Sequence, residues 1–136
     1  MTTIKAKYLG NLRMECTHEQ SGTKIITDAP TDNNGKGESF SPTDLCATAL
    51  GSCIMTIAGM YCMENGIDIE GTELEIEKVM SSDPRRIGEI NIHFNMPDRE
   101  YSKKEMTIIE RTAKACPVHM SLHPEIKQNF IFNWKK

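Results

Sequence analysis

The segment Ser41-Pro42-Thr43-Asp44-Leu45 through Asn65-Gly66 limits this chain more than any other. Ser41 is a good N-cap, Pro42 suits the first helical position, and Asp44 sets negative charge on the exposed N–H groups. Asn65-Gly66 is a left-handed stop signal. The spacing predicts one helix from Pro42 to Glu64, about 34 Å long at 1.5 Å per residue. Its apolar residues run nearly all round: Leu45, Ala49, Ile57 and Met60 on one side, Ile54, Ala58 and Tyr61 on others. Such a helix has to be enclosed on every side. A chain of 136 residues has little material for that, so a partner chain is expected.

The flanking segments read as strands and shorter helices. Residues 3–16 alternate well enough for a strand with a Gly10-Asn11 interruption, and Ser21-Gly22 turns the chain into a short β-branched strand over 23–28. Residues 30–37 are a loop. Residues 67–80 and 87–96 form a hairpin, the first strand alternating through Glu73, Leu74, Glu75, Ile76 and Glu77. Ser102 and Glu105 match a capping box for a helix reaching about Lys114. Residues 118–122 give a short helix and 129–134 a last strand. The expected order is ββ-α-ββ-α-α-β, a single α+β domain over 1–136 without internal repeats.

Composition excludes several functions. A formal net charge of -3 with no clustered Lys/Arg argues against nucleic acid. The N-terminus has no apolar signal core and no window is expected to reach the length of a membrane span, so a cytoplasmic location and no membrane partner are expected. Of the nine methionines, Met55, Met60 and Met63 share one helix and read as core fillers.

Five cysteines (Cys16, Cys46, Cys53, Cys62 and Cys116) are an odd set that suits reduced thiols better than a secreted disulfide framework. No Cys-x-x-Cys or zinc-finger spacing occurs. Cys46 and Cys53 share a helix face but are about 10 Å apart along the axis, beyond disulfide reach. Cys62 points to about the opposite side. Cys53 is left with Cys16, Cys116 or a thiol of another chain. Cys116, followed by Pro117, is a natural N-cap, where backbone N–H groups stabilise a thiolate. Cys53 lies mid-helix and needs a cation from elsewhere. Arg13, between Leu12 and Met14, is the best candidate, whereas Arg85, Arg86, Arg99 and Arg111 fall in solvated contexts. Cys116, His119 and His123 also suggest a metal site, but Pro124 pushes His123 away from helical geometry.

Ser41-Pro42-Thr43-Asp44-Leu45, Ala49-Leu50-Gly51-Ser52-Cys53 and Ala115-Cys116-Pro117-Val118-His119 together resemble the osmotically inducible protein C / organic hydroperoxide resistance (OsmC/Ohr) superfamily. The resemblance implies an intertwined homodimer whose long central helices pack on antiparallel sheets shared between chains. It also implies a thiol peroxidase that reduces organic hydroperoxides, and hydrogen peroxide less well. Cys53 would be oxidised to a sulfenic acid and Cys116 would close a disulfide with it. A lipoyl-type or thioredoxin-type dithiol would reopen that disulfide, with no cofactor or metal. Arg13, contributed by the other subunit, would stabilise the Cys53 thiolate and orient the peroxide, and Leu50, Met55, Ile57 and Met60 would line the pocket. The peroxidase branches pair that Arg with a Glu where this chain has Thr43. Glu38 or Asp44 would have to supply the carboxylate. A divergent member with weak or no peroxidase activity, acting as a small-molecule or acyl binder, is the competing expectation.

Overall fold

The computed structural model describes residues 2–135. The elements run β1 (Ile4–Gly10), β2 (Arg13–His18), β3 (Lys24–Asp28), α1 (Pro42–Glu64), β4 (Glu73–Ser81), β5 (Arg86–Asn95), α2 (Lys103–Thr112), α3 (Pro117–Ser121) and β6 (Lys127–Asn133). They form two compact units that divide inside α1, between Cys46 and Ala47.

In the N-terminal unit β1, β2 and β3 make an antiparallel meander. The single strand expected over 3–16 is two strands, so the order becomes βββ-α-ββ-α-α-β. Asn11 and Leu12 both take positive φ (56° and 63°), the two-residue turn that matches strand twist. Tyr8 and Met14 lie on the same face on either side of so short a turn, so Gly10-Asn11 reads as an interruption rather than as a reversal. The pairing of β2 with β3 sets Arg13 directly across from Asp28. Ile4, Ala6, Tyr8, Met14, Cys16 and Ile25 share one face of this sheet, where Ile4 and Tyr8 are each 60% exposed. The following loop contains a 3-10 turn at Thr31–Asn33, and the Asp28 N–H donates to the Phe40 carbonyl at 3.0 Å.

Helix α1 has the expected bounds, and its ends show why. The Asp44 N–H donates to Ser41 Oγ (3.1 Å) while the Ser41 N–H donates to Asp44 Oδ2 (3.0 Å), a reciprocal cap. At the other end Gly66 takes φ 68° and the Ile67 N–H reaches back to the Cys62 carbonyl at 2.9 Å. Only one stripe of the helix is covered: Ala47, Leu50, Gly51, Ile54, Ala58 and Cys62 are buried. Met60 and Met63 are 55% and 86% exposed, so these two do not fill the core. By length and composition α1 could also cross a membrane, which corrects the expectation that no segment reaches that length. Its run of Ala, Gly, Cys and Met is apolar without being bulky, and soluble core helices pass the same test.

The C-terminal sheet has the order β4-β5-β6. β4 and β5 pair antiparallel, but β5 and β6 pair parallel, so the all-antiparallel expectation is corrected. The long connection through α2 and α3 carries the chain back to the starting end of the sheet, as a parallel pairing requires. Ile90, Ile92 and Phe94 of β5 are fully buried, and Phe132 stacks on Phe94 at 4.3 Å. β4 starts at Glu73 rather than residue 67, since Gly71 takes φ 95° and breaks the extended run before it. Ser102 and Glu105 cap α2 reciprocally as expected.

Gly51 sets how closely α1 approaches β4. A Cβ there would lie 2.9 Å from Ile76 Cδ1 and 3.0 Å from Leu74 Cδ2. A Gly51→Leu variant is expected to lose about 1–3 kcal/mol by overpacking, read as a lower urea midpoint at unchanged slope.

Candidate active site

Cys53 is half-buried on α1, and Cys116 is completely buried where α2 has ended and α3 begins. The local sequence dictates the second placement. Pro117 holds Cys116 in an extended conformation (φ −70°, ψ 131°), which starts α3 with Cys116 as its N-cap. Cys116 Sγ accepts the His119 N–H at 3.3 Å. Cys53 is near enough to Cys116 to act on its ionisation, and both are free thiols. Of the partners that geometry left open to Cys53, the fold brings Cys116.

The cap forms as expected, but its expected consequence is reversed. Burial pushes the Cys116 thiol above its ordinary range, and the neighbouring Cys53 adds to that. The N–H groups of His119 and Val118 pull the other way and do not win. Cys116 is therefore a protonated thiol at neutral pH. Charge near Sγ is felt, but loss of water is felt more.

Arg13 belongs to the N-terminal unit and sits between two carboxylates. Its guanidinium is 2.5 Å from Glu38 Oε1 and 3.3 Å from Asp28 Oδ2. Glu38 is an expected partner; Asp28 was missed. Asp28 is 1% exposed, and its Oδ1 has no hydrogen-bond partner among the described residues. The signal for it was the Ser21-Gly22 turn, from which the β2–β3 register counts back to Arg13 opposite Asp28. The Glu38 backbone N–H, 3.1 Å from Oδ2, is the main cause holding the Asp28 carboxyl below its ordinary value; burial opposes this and Arg13 reinforces it. Asp44 Oδ2 caps α1, and Thr43 Oγ1 lies 3.2 Å from Ser41 Oγ.

The residues expected to line a pocket do not share one environment. Leu50 is fully buried, Met55 and Ile57 are half-buried and Met60 is mostly exposed. At 100° per residue Met55 lies about 200° round the helix from Cys53, on the far side. Cys16 is on β2, paired across the strands with Ala6 and Ile25. Cys46 is half-buried in the first turns of α1. Cys62 is buried, and burial followed by the charge of Glu105 pushes its thiol up, which suits a packing role. Among the described residues no three His, Cys, Asp or Glu side chains gather to hold a metal ion. His119 Nδ1 faces Gln128 Oε1 at 2.6 Å, and His123 Nδ1 accepts the Glu125 N–H at 3.0 Å.

Two three-stranded sheets and one long helix in this order, with a thiol on the helix and another at a helix entrance, define the OsmC-like α+β class. A profile of the OsmC-like protein family matches residues 35–130, and the chain belongs to that family. A crystal structure from Psychrobacter arcticus 273-4, of a candidate osmotic stress induced and detoxification response protein, has a TM-score of 0.94 to it at 50% identity. The match covers 98% of this chain and 96% of that one. The organic hydroperoxide resistance protein OsmC of Legionella pneumophila shares the fold at TM-score 0.76 and 15% identity, over 98% of this chain and 97% of that one. So does the organic hydroperoxide resistance protein OhrB of Bacillus subtilis, at TM-score 0.68 and 14% identity, over 98% of each chain. No curated protein gives a match.

Because its folded value is lowered, Asp28 contributes stability that is complete above the unfolded value of about 4 and is lost as pH falls through the folded value. Asp28→Asn is expected to melt below the native protein at neutral pH, with the gap closing on acidification in a calorimetric pH series. A gap independent of pH would contradict the assigned charge.

Proposed function

We propose that the protein is a cysteine-based thiol peroxidase that reduces organic hydroperoxides to alcohols. The observation that carries this reading is the nearness of a half-buried Cys53 to a buried, protonated Cys116. In the first step the Cys53 thiolate attacks the peroxide O–O bond. The distal oxygen stays on sulfur as a sulfenic acid and the alkoxide leaves, to be protonated to the alcohol. In the second, Cys116 sulfur displaces the sulfenic oxygen, and the thiol proton leaves with it as water. A dithiol of lipoyl or thioredoxin type then takes the disulfide through a mixed disulfide and departs oxidised. Half-burial lets Cys53 meet peroxide first, while Cys116 keeps its proton until it is needed.

In this reading Arg13 stabilises the Cys53 thiolate and orients the peroxide, and it comes from a second subunit. Two carboxylates hold the guanidinium, which answers the loss of the family Glu at Thr43. The buried Asp28 Oδ1 beside it is an unused acceptor that a hydroperoxide O–H can fill. A homodimer with shared sheets is supported by the apolar surface one chain leaves open, at Ile4 and Tyr8 of β1 and at Met60 and Met63 of α1. Leu50, fully buried one helical turn before Cys53, favours an organic peroxide over hydrogen peroxide.

The test is peroxide consumption with a dithiol reductant, cumene hydroperoxide against hydrogen peroxide. The native protein is expected to turn over the organic peroxide faster. Cys116→Ser is expected to stop after one oxidation, with Cys53 trapped as sulfenic or sulfinic acid by intact mass. Unaltered cycling by that variant would remove Cys116 from the mechanism. Light scattering is expected to give twice the chain mass, and a monomer would contradict the shared sheets.

A further inference from the structure

Gln128 grips the Cys116 turn from the sheet. Its Oε1 lies 2.6 Å from His119 Nδ1, and its Nε2 donates to the His119 carbonyl at 3.4 Å. Only the NH2 end of an amide can donate to a carbonyl, so Oε1 faces the ring and Nδ1 carries the proton. The ring also packs edge-on against Phe130 at 5.8 Å. The backbone N–H of this same histidine is the group that donates to Cys116 Sγ. On the other side Gln128 pairs in register with Ile90, which is fully buried, so the grip is anchored on a core strand. Helix α3 has only five residues, too few to hold its own first turn rigid.

We propose that Gln128 is a positioning residue for disulfide closure: acting through His119, it holds Cys116 Sγ in line with Cys53. The inference rests on the peroxidase reading for its biological use. In the step concerned the Cys53–Cys116 S–S bond forms as the Cys53 S–O bond breaks. The hydroxyl leaves with the Cys116 thiol proton as water, and no oxidant beyond the peroxide already consumed is needed. A slack turn would leave both thiols intact yet lower the local concentration of one sulfur at the other.

The experiment times the two steps separately. Gln128→Leu keeps the volume and loses both bonds, whereas Gln128→Glu keeps the acceptor for Nδ1–H. With a slight excess of cumene hydroperoxide, dimedone trapping follows the sulfenic acid and thiol titration follows closure. Gln128→Leu is expected to leave the first step unchanged, slow closure by about tenfold and accumulate sulfinic acid at Cys53. Gln128→Glu is expected to recover most of the closure rate, and melting curves establish that all three proteins are folded. A parallel arm closes the disulfide with diamide, which needs no peroxide chemistry. Slower diamide closure in Gln128→Leu supports the grip even if peroxide leaves the native thiols untouched, an outcome that would sink the peroxidase reading alone. Equal closure rates in Gln128→Leu and native protein, or equal slowing of both steps, would overturn the proposal.

Discussion

The close approach of α1 to β4 is the constraint on which the thiol pair depends. Gly51 leaves no room for a side chain between the helix and Leu74 and Ile76, and Cys53 follows two residues later on the same rigid element. From the other direction, Cys116 is fixed by Pro117, by the end of α2 and by the turn that opens α3. Neither cysteine is placed by a loop free to wander. Two independently anchored sulfurs near one another are a preorganised pair, and preorganisation is what an intramolecular bond-forming step rewards.

Burial then divides the labour between them. A thiol without water resists ionisation, because a thiolate there would lose its solvation and regain it only in part from the His119 and Val118 amides. In the proposed peroxidase reading, Cys116 is thus poorly suited to meet a peroxide and well suited to wait as a proton-bearing partner. Cys53, half-exposed, has the access that Cys116 lacks. Arg13 has its own arrangement in the N-terminal unit, with Asp28 buried beneath it and Glu38 reaching in from the loop. A guanidinium held on two sides is oriented as well as charged.

What the sequence made legible was mostly what local chemistry dictates. Both ends of α1 could be read because Ser41-Pro42 with Asp44 and Asn65-Gly66 are signals with physical causes, and the Ser102–Glu105 and Cys116–Pro117 caps followed the same logic. Long-range pairing was less legible. The Asn11-Leu12 turn read as an interruption within one strand, and the β2–β3 register that sets Asp28 against Arg13 is a separate pairing made across the Ser21-Gly22 turn. The parallel pairing of β6 depends on where the chain travels after β5, which no local pattern records. The direction of the shift at Cys116 was misread because a cap is visible in sequence and burial is not. Met60 and Met63 were placed in a core by composition, although one chain leaves them largely uncovered.

The central claim is a direct bond between two particular sulfurs, so its sharpest test is a peptide map of the native protein after limited organic hydroperoxide, without added thiol. The account predicts a cross-linked peptide joining positions 53 and 116 within one chain, with the loss of two hydrogens and Cys16, Cys46 and Cys62 still free. Oxygen accumulating on Cys53 while Cys116 stays a free thiol would contradict it.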